Sequence, residues 1–100
     1  MKLTINKAKY SFSFRGFGPQ YTYEVITGEP FQYGSTRNAH ILMFATLLSC
    51  NPDTFSMKIE AFTEWLYEHP TEERDMMQEI VAESQRRAAL YEPKKKDKEG

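Results

Sequence analysis

The sequence predicts an α+β domain, an N-terminal β-hairpin packed on a small bundle of three to four helices. Three observations lead there. The first fourteen residues alternate apolar and polar with period two around a short break. Beyond Pro19 the apolar residues recur every three or four positions, in segments closed by Gly28, Pro52, Pro70 and Pro93. Finally, 100 residues of which 40% are hydrophobic suffice for one core and not for two. Residues 1–92 are therefore read as a single globular domain. Residues 93–100 are read as a disordered basic and acidic tail, since Lys94 to Gly100 carries no apolar side chain.

In the hairpin, Leu3 and Ile5 share one face, and Lys2, Thr4 and Asn6 the other. A two-residue turn at Asn6-Lys7 places Ile5 opposite Ala8 and Leu3 opposite Tyr10, and Phe12 and Phe14 extend the apolar face. Asparagine tolerates the positive φ that such a turn requires. Two strands alone are marginal in water, so the hairpin must lie on helices or on another sheet.

Arg15 to Gly18 interrupts the pattern. Pro19 suits the first turn of a short helix and Gly28 its end. Phe17, Tyr21, Val25 and Ile26 fall on one face, expected to point inward, which leaves Tyr23 on the outer side. A loop from Glu29-Pro30 to Gly34 carries Phe31 and Tyr33. Ser35 or Thr36 caps the next helix, which runs to about Cys50. Ile41, Leu42, Phe44, Ala45, Leu47 and Leu48 leave it little polar surface, the mark of a central helix. Asn51-Pro52 ends it, because the residue before proline is pushed out of the helical region. Ser56 is read as the cap of a third helix, Met57 to about Glu68, with Phe55, Ile59, Phe62 and Leu66 as its apolar stripe. His69-Pro70 stops it. Thr71 is read as the cap of the last helix, with Glu72 and Glu73 at its positive end. Met77, Ile80, Val81 and Ser84 form its expected inner face.

The composition argues against several functions. A net charge of −1 gives no field that steers the chain to nucleic acid or to an anionic membrane. The longest apolar run, Ile41 to Leu48, is far too short to span a bilayer. The opening MKLTINKAKY has no apolar core of a signal peptide, and one cysteine excludes an internal disulfide. A reducing cytoplasmic setting is the expectation. His40, His69 and Cys50 are the only soft metal ligands, and no two stand within the roughly two to five residues typical of a zinc site. No metal and no cofactor are expected. Cys50 reads as a small buried hydrophobe ending an apolar helix. Gly16-Phe17-Gly18 is followed at once by Pro19, which removes an N–H that a phosphate cradle needs. With no paired acid and base and no activated nucleophile, no catalytic residue is assigned and no enzyme is expected.

What remains is recognition of other proteins. Trp65 and Tyr67 flank Leu66, and the three cannot all face inward on one helix. Together with Tyr23, Phe31 and Tyr33 they are the candidate partner-binding residues, aromatics being favoured at interface centres. Glu60, Glu64 and Glu68 form an acidic stripe, read as a solvated face. The hairpin leaves two strand edges that Lys2 and Lys7 guard poorly, so homo-oligomers by edge pairing or through Trp65 are expected.

The order of parts is informative too: an opening MKLTIN hairpin, an aromatic FRGFG break, an apolar ILMFATLL helix, then IEAFTEWLYEHP and a basic end. It resembles the small tail assembly chaperones of long-tailed bacteriophages and prophages. The segment from Phe62 to Pro70, of the form FxxWLxEHP, carries most of that resemblance, while the hairpin has Asn6-Lys7 where the family usually has Asn-Gly. The resemblance implies a non-enzymatic protein without cofactor, in the cytoplasm of the bacterial host cell. It implies that the protein holds the tape-measure protein soluble and helps recruit tail-tube subunits. It also implies a ribosomal frameshift near the end of the gene, for which the codons of Lys94-Lys95-Lys96 are the candidate site. Two rival readings are a regulatory protein-binding adaptor of a mobile element and a small nucleic-acid-binding protein. The second lacks a basic face, since outside the tail the Lys and Arg residues are spread along the chain.

Overall fold

The structure, a computed structural model, describes residues 1–91. The expected disorder of the tail, the stop at Pro93 and the lysine run fall outside the described residues. Two strands, β1 (Lys2–Ile5) and β2 (Ala8–Ser11), are followed by four helices: α1 (Gly18–Thr27), α2 (Thr36–Cys50), α3 (Ile59–Glu68) and α4 (Pro70–Tyr91). This is the α+β arrangement that the periodicities predict.

The strands pair antiparallel, with Ile5 opposite Ala8 and Leu3 opposite Tyr10. Asn6 and Lys7 both have positive φ, 51° and 73°. The primed turn this makes matches the right-handed twist of the strands. Leu3, Ile5, Phe12 and Phe14 are buried in the main core. Regular pairing ends earlier than the alternation suggests, at Ser11 rather than Phe14. The Phe12 N–H still donates to the Met1 carbonyl at 2.9 Å.

α2 lies at the centre. Its N-cap is Ser35, whose hydroxyl accepts from the Asn38 N–H at 2.9 Å. Every residue from Ile41 to Leu47 is buried. Thr46 is among them, and its hydroxyl donates to the Leu42 carbonyl at 2.7 Å, so its burial leaves no unmet polar group. The hairpin, α1, α3 and α4 cover this helix on its different sides.

Asn51 joins α2 to the hairpin. Its Oδ1 accepts from the Ser11 N–H at 3.0 Å. Its Nδ2 donates to the Ser11 carbonyl at 2.8 Å and to the Leu47 carbonyl at 2.9 Å. Ser11 presents these two groups outward from β2, so the side chain occupies part of the edge that was expected to be open. Asn51 thus caps a helix and terminates a strand edge at once.

Two helix boundaries and two inner faces differ from expectation. α3 starts at Ile59 rather than Met57, and Ser56 is not its cap: Lys58 precedes the helix in extended conformation with no side-chain cap. The cause is Phe55, buried against Tyr10, Phe44 and Phe62 in a turn closed by its own N–H on the Asn51 carbonyl. The chain must extend over residues 56–58 to leave that turn. α4 begins at Pro70, where a proline loses no hydrogen bond. The Glu73 N–H donates to the His69 carbonyl at 3.1 Å, so His69 takes the capping place expected of Thr71. The buried face of α4 is Met76, Ile80 and Glu83, with Val81 exposed. The inner face of α1 is Pro19 and Tyr23, not Phe17, Tyr21 and Val25. No helix among the described residues is long and apolar enough to cross a membrane.

Removing the Asn51 amide would leave the Ser11 N–H and carbonyl unpaired, while the Leu47 carbonyl keeps the Asn51 backbone N–H. Asn51→Ala should cost about 1–3 kcal/mol by this mechanism. Phe62→Ala, which empties the fully buried centre of the aromatic cluster, should cost about 3–5 kcal/mol. Urea denaturation measures both, and an Asn51→Ala loss below about 0.5 kcal/mol would show the clip to be idle.

Candidate functional site

The five aromatic candidates separate into three environments. Tyr23 is fully buried, its ring edge-on to Phe31 at 5.1 Å. Its hydroxyl is buried too, with no partner among the described residues. Trp65 is also in the core, stacked between Phe62 and the His69 ring at 6.2 and 4.3 Å. The expectation that these two lie at the surface is therefore corrected. On α3 the inward arc is wide enough for Phe62, Trp65 and Leu66 together, because His69 closes over the indole and bonds through Nδ1 to the Trp65 carbonyl at 2.7 Å. Phe31 is half-buried between Tyr23 and Tyr33. Tyr33 is exposed, and its hydroxyl bonds with Ser84 of α4. Tyr67 is the most open aromatic, at 89% exposure, beside the exposed Glu60, Glu64 and Glu68.

Turning Tyr23 inward turns the rest of α1 outward. Phe17, Tyr21 and Val25, spaced by four residues, stand 49%, 62% and 83% exposed, with Ile26 at their flank. The turn is set by α2. A Cβ on Gly18 would stand 2.6 Å from the Ser49 hydroxyl oxygen, so α1 meets α2 through a glycine, a proline and one flat ring. Gly16, at φ 77°, supplies the bend between hairpin and helix. The helix then closes on Gly28, also left-handed, whose N–H donates to the Glu24 carbonyl at 2.8 Å.

The outer stripe is ordered. The Phe17 and Tyr21 rings stack at 5.8 Å and 18°. The Arg87 guanidinium of α4 lies over the Phe17 ring at 4.5 Å and donates to the Tyr91 hydroxyl at 2.7 Å. Exposed apolar residues are ordinary when scattered; contiguous ones at helical spacing mark an interface.

Charge differs between the two ends of the stripe. At the Phe17 end, Glu83 is held below the ordinary carboxylate range, first by its paired hydrogen bonds to Arg86 at 2.7 and 3.0 Å, then by the charges of Arg86, Arg15 and Arg87, against its burial. Three guanidinium groups around one carboxylate leave this end cationic. At the Val25 end, Glu24 and Glu29 border a shallow hollow with Gly28 and Pro30.

Two concave features lie elsewhere. A cavity of about 350 Å³ is lined by Phe31, Tyr33, Ser35, Thr36, His40 and Glu73, among others. In it the His40 Nε2 is committed to Glu73 Oε2 at 2.5 Å, a pair that ties α2 to α4. No serine or threonine hydroxyl bonds to that imidazole among the described residues, so the pair has no nucleophile to activate. A second groove of about 320 Å³ lies between α2 and α3, with Ile41 and Ile59 in its apolar lining and Arg37 and Glu60 beside them. The Cys50 thiol donates to the Ser13 carbonyl at 3.4 Å, a second tie from α2 to the hairpin. Among the described residues no three His, Cys, Asp or Glu side chains gather as a metal centre requires.

Compared with family models, with curated proteins and with solved structures, the chain finds no match.

The Glu83–Arg86 pair carries a pH signature. Because the folded state depresses the Glu83 pKa, its stabilising contribution is fully present above the ordinary glutamate value near 4.5 and is lost as pH falls through the lower folded value. The stability difference between wild type and Glu83→Gln should therefore shrink as pH drops below that ordinary value. Urea midpoints at neutral and acid pH measure it, and a difference that stays constant would show Glu83 to be unperturbed.

Proposed function

We propose that this protein acts by binding other proteins through the outer face of α1, as a tail assembly chaperone of a long-tailed phage or prophage. The carrying observation is the ordered stripe of Phe17, Tyr21 and Val25, exposed on a helix whose other side is firmly packed. Support for the specific role comes from the order of sequence parts, whose hairpin and helices are found in the fold. In this reading the protein is not an enzyme, carries no cofactor, and works in the host cytoplasm.

The clients are the tape-measure protein and the tail-tube subunits. A long tape-measure helix exposes apolar stripes until the tube encloses it. Two flat rings and a branched aliphatic side chain can cover such a stripe without a deep pocket, since aromatic faces accept many packing angles. The contact is small, one ten-residue helix face, so binding is reversible, which suits a factor that must release its client. The guanidinium groups at the Phe17 end steer and orient acidic flanks of the client.

The test is co-expression with the tape-measure and tail-tube proteins of the same genome. The wild-type chain should keep the tape measure soluble and be recovered with it. The Tyr21→Glu/Val25→Glu double variant should lose at least about tenfold in client affinity, the effect of charging an interface centre. Its stability should stay within about 0.5 kcal/mol of wild type, because both sites are exposed. Equal client binding by the variant would move the site off α1. A tape measure that precipitates equally with and without the chain would end the chaperone reading.

A further inference from the structure

We infer that the outer face of α1 is self-complementary, and that in the free protein it is covered by α1 of a second copy, antiparallel, about a two-fold axis at Tyr21. This rests on the reading of that stripe as a protein-binding face, but not on which client it serves.

The pattern of the stripe is what points to a second copy. An axis through Tyr21 sets Phe17 of one copy against Val25 of the other at both ends, an aromatic ring against a branched aliphatic side chain. Tyr21 meets its own counterpart. A two-fold contact of this kind uses one patch twice.

Charge gives the second argument. Arg87 sits on the Phe17 ring, at one end of the stripe. Glu24 is exposed next to Val25, at the other end, on the same side of the helix. Among the described residues neither has an ion-pair partner. The antiparallel arrangement brings Arg87 of each copy to Glu24 of the other, so both ends pair opposite charges. A parallel arrangement would put arginine on arginine and glutamate on glutamate, which disfavours it.

Residues 92–100 include no large apolar side chain that could fill the stripe. The pairing differs from β-edge association, where Asn51 already occupies the outward groups of Ser11. A ten-residue helix spans about 15 Å, so the interface is at the small end of the range. The dimer should be reversible, with a dissociation constant of roughly micromolar to hundreds of micromolar.

Sedimentation equilibrium on the full chain tests this through a charge swap. Glu24→Arg alone sets the introduced arginine against Arg87 at both ends of the homodimer. Arg87→Glu alone sets the introduced glutamate against Glu24 at both ends. Each should weaken self-association by roughly tenfold or more. Mixed in equal amounts, the Glu24→Arg chain brings an arginine to each end and the Arg87→Glu chain a glutamate to each end. Opposite charges then meet at both ends of the mixed dimer, and association should return to within about threefold of wild type. Melting curves accompany each variant, so that a misfolded chain is not scored. The inference is overturned by a wild type that stays monomeric to about 1 mM, or by a mixture that associates no better than its components. A monomer that still captures the tape-measure protein would overturn the dimer and leave the chaperone reading standing. A charge-swapped dimer from a chain that captures no client would do the reverse.

Discussion

A helix with seven consecutive buried residues must be covered all round, and α2 imposes that requirement on everything else in the molecule. A sheet face covers one side, and three helices cover the rest. Each covering element is buried on the side toward α2 and solvated on the other. Stability therefore concentrates at α2, where aromatic contacts run from Tyr10 through Phe55 and Phe44 to Phe62 and Trp65. The polar ties are few and specific: Asn51 and Cys50 to the hairpin, His40 to α4.

This arrangement explains how a small domain can show an apolar face without compromising its core. α1 is packed on one side only. Its inward side uses Pro19 and Tyr23 with glycine at the closest approach, so its bulkier apolar side chains are left for the surface. The order of that surface comes from α4, whose Arg87 lies on Phe17. The long last helix thus serves two ends, closing the core through Met76 and Ile80 and arming one end of the stripe with positive charge. An apolar face so built is presented without any loop rearrangement, which would lower the entropy cost of a contact made there.

The two histidines and the cysteine are all engaged in contacts within the fold. The imidazole nearest a cavity is held by a carboxylate, and the other is stacked on an indole and bonded to a carbonyl. The thiol is turned to a backbone oxygen. His40 and Cys50 each tie α2 to another part of the chain, and His69 closes the end of α3. The aromatic residues of α1's outer face, by contrast, hold nothing but one another and one arginine.

Much of this was legible in the sequence, wherever the cause is local. The hairpin register follows from period-two alternation and a turn residue that accepts positive φ. The ends of α1 and α2 follow from Pro19, Gly28, Ser35 and Asn51-Pro52, and the central place of α2 from its lack of a polar face. What the sequence could not decide is which side of α1 and α4 turns inward. Both faces of α1 carry aromatic residues, so periodicity is satisfied either way; the choice falls to the close approach of Gly18 to Ser49 and the contact of Tyr23 with Phe31, partners 31 and 8 positions away in the chain. Trp65 looked exposed for a related reason: the arc a helix can bury depends on what closes over it, here His69. Exposure of Phe17, Tyr21 and Val25, and with it the candidate site, is thus a property of tertiary packing, because burial is settled by neighbours and not by the residues themselves.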